Sequence, residues 1–256
     1  MNGLRWQCVM LMPKYFVDKS NIKDATIVIE DRNFHHIKNV MRAKIGDQLL
    51  VGDKENGMYK CFVAEISANF ITANIVEVFA ADTEPAVDIV LFAPLIKGDK
   101  MEWVIQKAVE IGIAKIIPIY TQHCVVKLES EKKIASKVER WNKIAESAAK
   151  QSGRGITVAV AEPMKFADAM EFADAALDAI AIPYEKEDTQ TFKKMLRENQ
   201  FTSLGIFVGP EGGFAAEEIA IAEKFGAMVV TLGKRILRSE TASIVATALA
   251  VHETNN

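Results

Sequence analysis

Three cysteines in 256 residues, at positions 8, 61 and 124, are too few and too far apart to staple a fold. They form no Cys-x-x-Cys pair and their number is odd, so neither a disulfide framework nor a thiolate zinc site is expected. Histidine is as scarce. His35, His36, His123 and His252 lack the spacing that would seat a metal, and no metal is expected. Apolar runs are short as well, none approaching the ~18 residues of a membrane-crossing helix, so no membrane partner is expected. Residues 1–11 carry one basic residue, Arg5, and the start of a brief apolar patch at 8–12, without a small-residue cleavage site. They read as an extension before the fold and not as a secretory signal. A cytoplasmic protein is the expectation. Net charge is also low, at −3, which argues against general affinity for nucleic acid. Its distribution is uneven, however. Residues 97–154 hold twelve Lys and Arg against seven Asp and Glu, whereas residues 155–256 hold nine against fifteen. A locally basic middle attracts phosphate, although charged helix faces are usually just solvated.

What is present divides into two rhythms. From Pro13 to Phe79 the pattern is of short strands, at 15–17, 26–30, 48–51, 58–66 and 70–79, rich in β-branched and aromatic residues. One helix is expected at 31–42, with Phe34, Ile37 and Met41 at helical spacing. Lys54-Glu55-Asn56-Gly57 reads as a hairpin turn, since Asn-Gly tolerates positive φ. After a linker near 80–85 the pattern alternates strand and helix. Strands are expected at 87–93, 114–120, 157–161, 179–182, 204–208 and 228–232. A helix at 100–111 has Asp99 as its expected N-cap, Glu102 three residues on, and Gly112 as its stop. A second, at 130–150, carries Ile134, Val138, Trp141, Ile144 and Ala148 on one face. Alternation of this kind implies a mainly parallel sheet covered by helices. The expected domains are therefore 12–82 and 83–256.

Two turns carry the chemistry. Val208-Gly209-Pro210-Glu211-Gly212-Gly213-Phe214 lies between a strand and a helix, and its three glycines let a backbone approach a ligand closely. Its spacing fits neither the dinucleotide fingerprint nor the phosphate loop. It is either a ligand turn at a strand C-terminus or a glycine-rich connection with no ligand. The second turn is Leu232-Gly233-Lys234-Arg235-Ile236-Leu237-Arg238-Ser239-Glu240-Thr241-Ala242, entering a final helix with Ile244, Val245, Ala248 and Leu249 on its apolar face. Cations are unusual just before a helix N-terminus, which is already partly positive. Together they make an anion-attracting mouth. Ser239 also reads as an ordinary N-cap and Lys234 as a surface charge.

In order along the chain, these pieces resemble the RsmE family, the 16S ribosomal RNA uridine N3-methyltransferases. The resemblance runs from about Met12 to Val251. It rests on Gly209-Pro210-Glu211-Gly212-Gly213, on the 232–242 turn, on Gln106-Lys107-Ala108-Val109-Glu110-Ile111-Gly112, on Gln151-Ser152-Gly153-Arg154, and on Val40-Met41-Arg42-Ala43-Lys44-Ile45-Gly46-Asp47. It implies a PUA-like β-barrel followed by a SPOUT-type α/β domain, whose parallel sheet has helices on both faces and ends in a trefoil knot, and it implies a homodimer. S-adenosyl-L-methionine is the implied methyl donor, enclosed by Ile182 and Pro183, by Val208, Gly209, Pro210, Glu211, Gly212 and Gly213, and by Leu232, Gly233, Ile236, Leu237, Thr241 and Ala242. The implied partner is 16S ribosomal RNA or the assembled small ribosomal subunit, gripped through His36, Arg42, Lys44 and Arg154. Methylating N3 requires the uridine to be unpaired or turned out of its stack. Arg238 is the candidate for stabilising charge that develops on the uracil oxygens, and Glu240 either orients Arg238 or acts as base.

Three departures from the family pattern stand out. His123 occupies a position where arginine is usual, Lys150 replaces an acid, and Ala215 replaces a capping serine, an exchange expected to cost ~1 kcal/mol of helix stability. Two other readings remain open: a non-catalytic RNA-binding ribosome-assembly factor, and an α/β enzyme acting on a small phosphorylated metabolite.

Overall fold

The computed structural model describes residues 12–128 and 130–254, so the expected extension at 1–11 lies outside the described residues. The chain forms two compact units. One runs up to Glu84 and takes in Ala149–Thr157. The other comprises Pro85–Ala148 and the chain from Val158 onward. The sequence expectation of a single cut near residue 82 therefore misses a segment. Gln151-Ser152-Gly153-Arg154 belongs to the first unit.

The first unit is a six-stranded sheet in the order β1-β4-β5-β6-β3-β2, made of β1 (Lys14–Phe16), β2 (Ile22–Lys23), β3 (Thr26–Ile29), β4 (Gln48–Gly52), β5 (Gly57–Ile66) and β6 (Ile71–Ala80). β1 pairs parallel to β4 and the other pairings are antiparallel. Register shifts at Lys60/Cys61 and Val63/Glu65 mark bulges, which bend the two long strands. Alternate residues Ile27, Ile29, Cys61, Val63, Ile71 and Ala73 point into one core, closed by Phe34 and Ile37. The expected helix at 31–42 is shorter and of two kinds. α1 (Asp31–His35) passes into a π-type turn over His36–Val40, and Arg42 adopts a left-handed φ of 52°. The hairpin turn is anchored by Asp53, whose carboxylate accepts the N–H groups of Glu55 and Gly57 and the Tyr59 hydroxyl.

The second unit is a parallel sheet in the order β10-β8-β7-β12-β11-β13, with β9 also on β8. Its strands are β7 (Asp88–Pro94), β8 (Lys115–Tyr120), β9 (Ala159–Val160), β10 (Met164–Lys165), β11 (Ala179–Pro183), β12 (Ser203–Phe207) and β13 (Met228–Val230). The central strands are apolar on both faces, as a sheet covered on both sides requires; Ile89, Val90, Leu91, Phe92 and Ala93 are all buried. Phe92 stacks on Phe207 of the neighbouring strand at 3.9 Å between centroids. The helices are α2 (Lys100–Ile111), α3 (Glu131–Gln151), α4 (Phe166–Ala176), α5 (Phe192–Glu198), α6 (Ala216–Lys224) and α7 (Ser239–Thr254). α4 and α6 pack over Val90, Phe92, Ile117, Ile180 and Phe207, while α7 packs against α2, α5 and β7.

Local expectations fare unevenly. Gly112 ends α2 at φ 126°, where a Cβ would lie 2.7 Å from Pro85 Cγ. Asp99 precedes the helix, but its side chain caps nothing, and Glu102 pairs instead with Arg140 at 2.7 Å. On α7 the buried face is of small residues, Ser243, Ala246, Thr247 and Ala250, whereas Ile244, Val245, Ala248 and Leu249 are only half-buried. Burying the two hydroxyls is cheap because each donates to a carbonyl one turn back.

Candidate functional site

In a parallel sheet every strand delivers its following loop to the same edge, where ligands of open α/β folds bind. β12, β11 and β13 are neighbours here, with Ala181 opposite Ile206 and Pro183 opposite Val230. The segments that follow them, beginning at Tyr184, at Val208 and at Thr231, therefore converge. Ile182 is fully buried as part of β11, and Pro183 is partly exposed at the strand end.

The 208–213 turn is held from several sides. Val208 and Pro210 are buried, Gly209 and Gly213 are partly exposed, and Glu211 and Gly212 are exposed. Ser239, at the head of α7, donates its hydroxyl to the Gly209 carbonyl at 2.7 Å. The His123 imidazole reaches the carbonyls of Gly212 and Gly213 from Nδ1, at 3.1 and 3.2 Å, a geometry that places the donated proton on Nδ1. Gly213 has φ 68°, and a Cβ there would lie 2.7 Å from a Glu185 carboxylate oxygen; one on Gly212 would lie 2.9 Å from His123 Cβ. Below the turn, Glu218 accepts the N–H of Gln122 at 2.8 Å and that of Ala215 at 2.9 Å. Glu218 thus supplies one half of a capping box, satisfying the N–H of the N-cap residue Ala215, which has no side-chain acceptor to give in return.

The 232–238 turn is of another kind. Leu232 and Leu237 are partly exposed, and Gly233, Lys234, Arg235, Ile236 and Arg238 are exposed, Ile236 to 86%. Thr231 ties its start, accepting the Gly233 N–H at 3.1 Å. The Arg238 carbonyl accepts from Ala242, opening α7, and Thr241 and Ala242 are partly exposed in its first turn. Such a surface, with apolar side chains and no Cβ on the glycines, fits an extended, partly apolar ligand such as S-adenosylmethionine.

Lys100, which sequence reading passed over, joins the two turns. It follows β7 at the start of α2, and its ammonium lies 3.1 Å from Glu240 Oε1 and 4.0 Å from Glu211 Oε1. Burial by itself would raise the Glu240 carboxyl, but its own backbone N–H, Lys100 and Arg238 outweigh that and hold it below the ordinary carboxylate value. The usable signal was positional: Lys100 lies just beyond the C-terminal end of a central parallel strand. Neither Glu218 nor the bond made by His123 carried any sequence signal.

The candidate RNA-contacting residues lie in the first unit. Arg42 and Lys44 are exposed, flanked by exposed Val40, Met41 and Ile45. His36 is exposed and bonded through Nδ1 to the Tyr15 hydroxyl at 3.0 Å. Arg154 is different. It is 2% exposed, with its guanidinium on Glu84 at 2.5 Å through Nη2 and 3.1 Å through Nε, and Gly155 adds its N–H to the same carboxylate. This burial corrects the expectation that Arg154 faces RNA. Lys150 lies 3.5 Å from Asn33 Oδ1. Among the described residues no group of three or more His, Cys, Asp and Glu is placed to hold a metal, and no helix is long and apolar enough to cross a membrane.

Comparison with known proteins places this geometry. An RNA methyltransferase domain family matches residues 83–251, and an RNA methyltransferase PUA domain family matches residues 29–76. The chain is 33% identical over 251 residues to ribosomal RNA small subunit methyltransferase E of Bacillus subtilis, spanning 95% of this chain and 97% of that one. Among solved structures, it resembles ribosomal RNA small subunit methyltransferase E from Neisseria gonorrhoeae bound to S-adenosyl methionine. The TM-score is 0.80 and the identity 26%, over 93% of this chain and 95% of that chain. A putative methyltransferase from Legionella pneumophila, in complex with the bound cofactor SAM, matches with TM-score 0.82 and 26% identity, over 93% and 96% of the two chains.

Proposed function

The chain belongs to the ribosomal RNA small subunit methyltransferase E family, and from that premise we propose that it methylates N3 of a uridine in 16S ribosomal RNA, using S-adenosylmethionine. The observation that carries this reading is the meeting of three segments at one sheet edge, one of them a glycine turn braced by Ser239 and His123. Ile182, Pro183, Val208, Gly209, Pro210, Glu211, Gly212 and Gly213 would form one wall of the donor site. Leu232, Gly233, Ile236, Leu237, Thr241 and Ala242 would form the other. When bound, the donor supplies an electrophilic methyl carbon and leaves as a thioether. The protein's part is alignment and charge control. The two turns fix the direction of approach, which supplies much of the acceleration in an in-line displacement. Arg238, exposed at the mouth, stabilises negative charge on the uracil oxygens.

Arg42, Lys44 and His36 hold the RNA through phosphate contacts, which carry no sequence information of their own. Arg154 is left out of that set, because its guanidinium is enclosed with Glu84. The half-buried Ile244, Val245, Ala248 and Leu249 suit α7 to a second copy of the chain, so a homodimer is part of the proposal. The trefoil knot and a cytoplasmic location belong to it also. Deleting the gene, mapping modified bases in the 16S RNA, and restoring the missing mark with purified protein and donor tests the whole reading. An unchanged modification map would overturn it.

A further inference from the structure

The two oxygens of Glu240 are in different situations. The residue is 8% exposed, and Oε1 takes the Lys100 ammonium at 3.1 Å. Oε2 is buried without a hydrogen-bond partner among the described residues. A buried acceptor left bare forfeits its hydration without return, the more so when it is charged. The carboxylate belongs to α7 just after the exposed turn, and its cation is the first residue of α2, the helix that follows β7, so both stand at the edge where the three segments meet. Glu211 and Arg238 are the other charged groups beside this pair. An anion in that frame selects a donor. Uracil has one N–H on its pairing edge, at N3, between two carbonyls. Cytosine has a bare nitrogen there, which a carboxylate repels.

We infer that Glu240 Oε2 accepts the N3 proton of the target uracil, and that Lys100 is the positioning residue that holds Oε1 so that Oε2 faces the base. The inference rests on the uridine N3 reading above and chooses between the two roles open to Glu240. The N3–carbon bond forms as the carbon–sulfur bond breaks, the bonding pair stays on sulfur, and the N3 proton passes to Oε2 and from there to solvent. Arg238 is then free to face the uracil oxygens, since the ion-pair partner of Glu240 is Lys100.

The test uses the full-length protein and small-subunit ribosomal RNA transcribed with either uridine or 5-fluorouridine, whose N3–H is the more acidic. Donor affinity is measured by calorimetry and methyl transfer in single turnover. Glu240→Gln should keep donor affinity within about threefold and lose ~10²–10⁴-fold in rate on uridine RNA. On 5-fluorouridine RNA that deficit should shrink at least about tenfold, because the proton leaves more readily without a base. Lys100→Met should show a smaller deficit with the same rescue, and Lys100→Arg should recover most of the rate. A deficit equal on both RNAs, or wild-type rates in Glu240→Gln, overturns the inference. If Glu240→Gln melts early, the Lys100→Met and Lys100→Arg pair on the two RNAs decides alone. A wild-type protein that neither binds donor nor methylates either RNA would sink the underlying reading instead.

Discussion

The two turns that close the candidate site differ in who holds them. The 208–213 turn is fixed from inside the protein, by Ser239 on one carbonyl, His123 on two more, and Glu218 beneath. The 232–238 turn stands in solvent, with three exposed cations, an isoleucine 86% exposed, and Thr231 at its root. A turn whose shape is set before binding costs little to order when a ligand arrives. A turn that presents free side chains gains its order from what it touches. The pair therefore divides the work. On the proposed reading, one side would be a preformed seat and the other would adapt to donor and base.

Four substitutions probe that division. The largest effect belongs to the exposed turn: Arg238→Ala should lose on the order of 10²-fold in turnover, with melting temperature and donor affinity nearly unchanged. A full single-turnover rate would remove Arg238 from the chemistry. Next is Gly213→Ala, which forces a side chain onto φ 68° and toward Glu185. Strain of ~2 kcal/mol should weaken donor binding by ~30-fold in calorimetry; an unchanged affinity would mean the seat is not preformed. Ser239→Ala removes the donor to the Gly209 carbonyl and should cost ~1 kcal/mol in denaturant unfolding. The smallest is Ile236→Ala, expected to leave stability within ~0.5 kcal/mol while weakening donor binding a few-fold. A loss of stability there would show that the exposed turn is already packed.

Much of the second unit was legible because strand and helix have different periods. The runs at 87–93 and 114–120 fall within a residue of β7 and β8, and Gly112 stops α2 as expected. The failures share a cause. Asp99 and Glu102 have capping spacing, yet Glu102 is drawn to Arg140, 38 residues on. Arg154 ends a helix like any terminal cation, and only its partner, 70 residues earlier, shows that it is interior. His123 looked like a lost arginine and proves to be a brace across 89 residues. Periodicity and capping are local properties, whereas these roles are settled by pairs that only the fold brings together. Gly213 and Gly233 were readable because their constraint, a positive φ, lies in their own backbone, whereas Gly212 is confined by His123. Glu218 was not, because nothing about a lone glutamate reveals its neighbour, and Lys100 offered only its place after a central strand.

The grip of Arg154 on Glu84 has a consequence for how the chain is made. Glu55 bridges to Ile156, the Asn56 N–H meets the Gly155 carbonyl, and Glu84 accepts from Arg154 and Gly155. These are the closing stitches of the first unit, and they emerge from the ribosome some seventy residues after the rest of it. A nascent chain halted at Glu84 carries an acid without its base, so this unit completes itself only after part of the second has been synthesised. Expressed alone, it would need the 149–157 strip supplied as a separate peptide to regain its full stability.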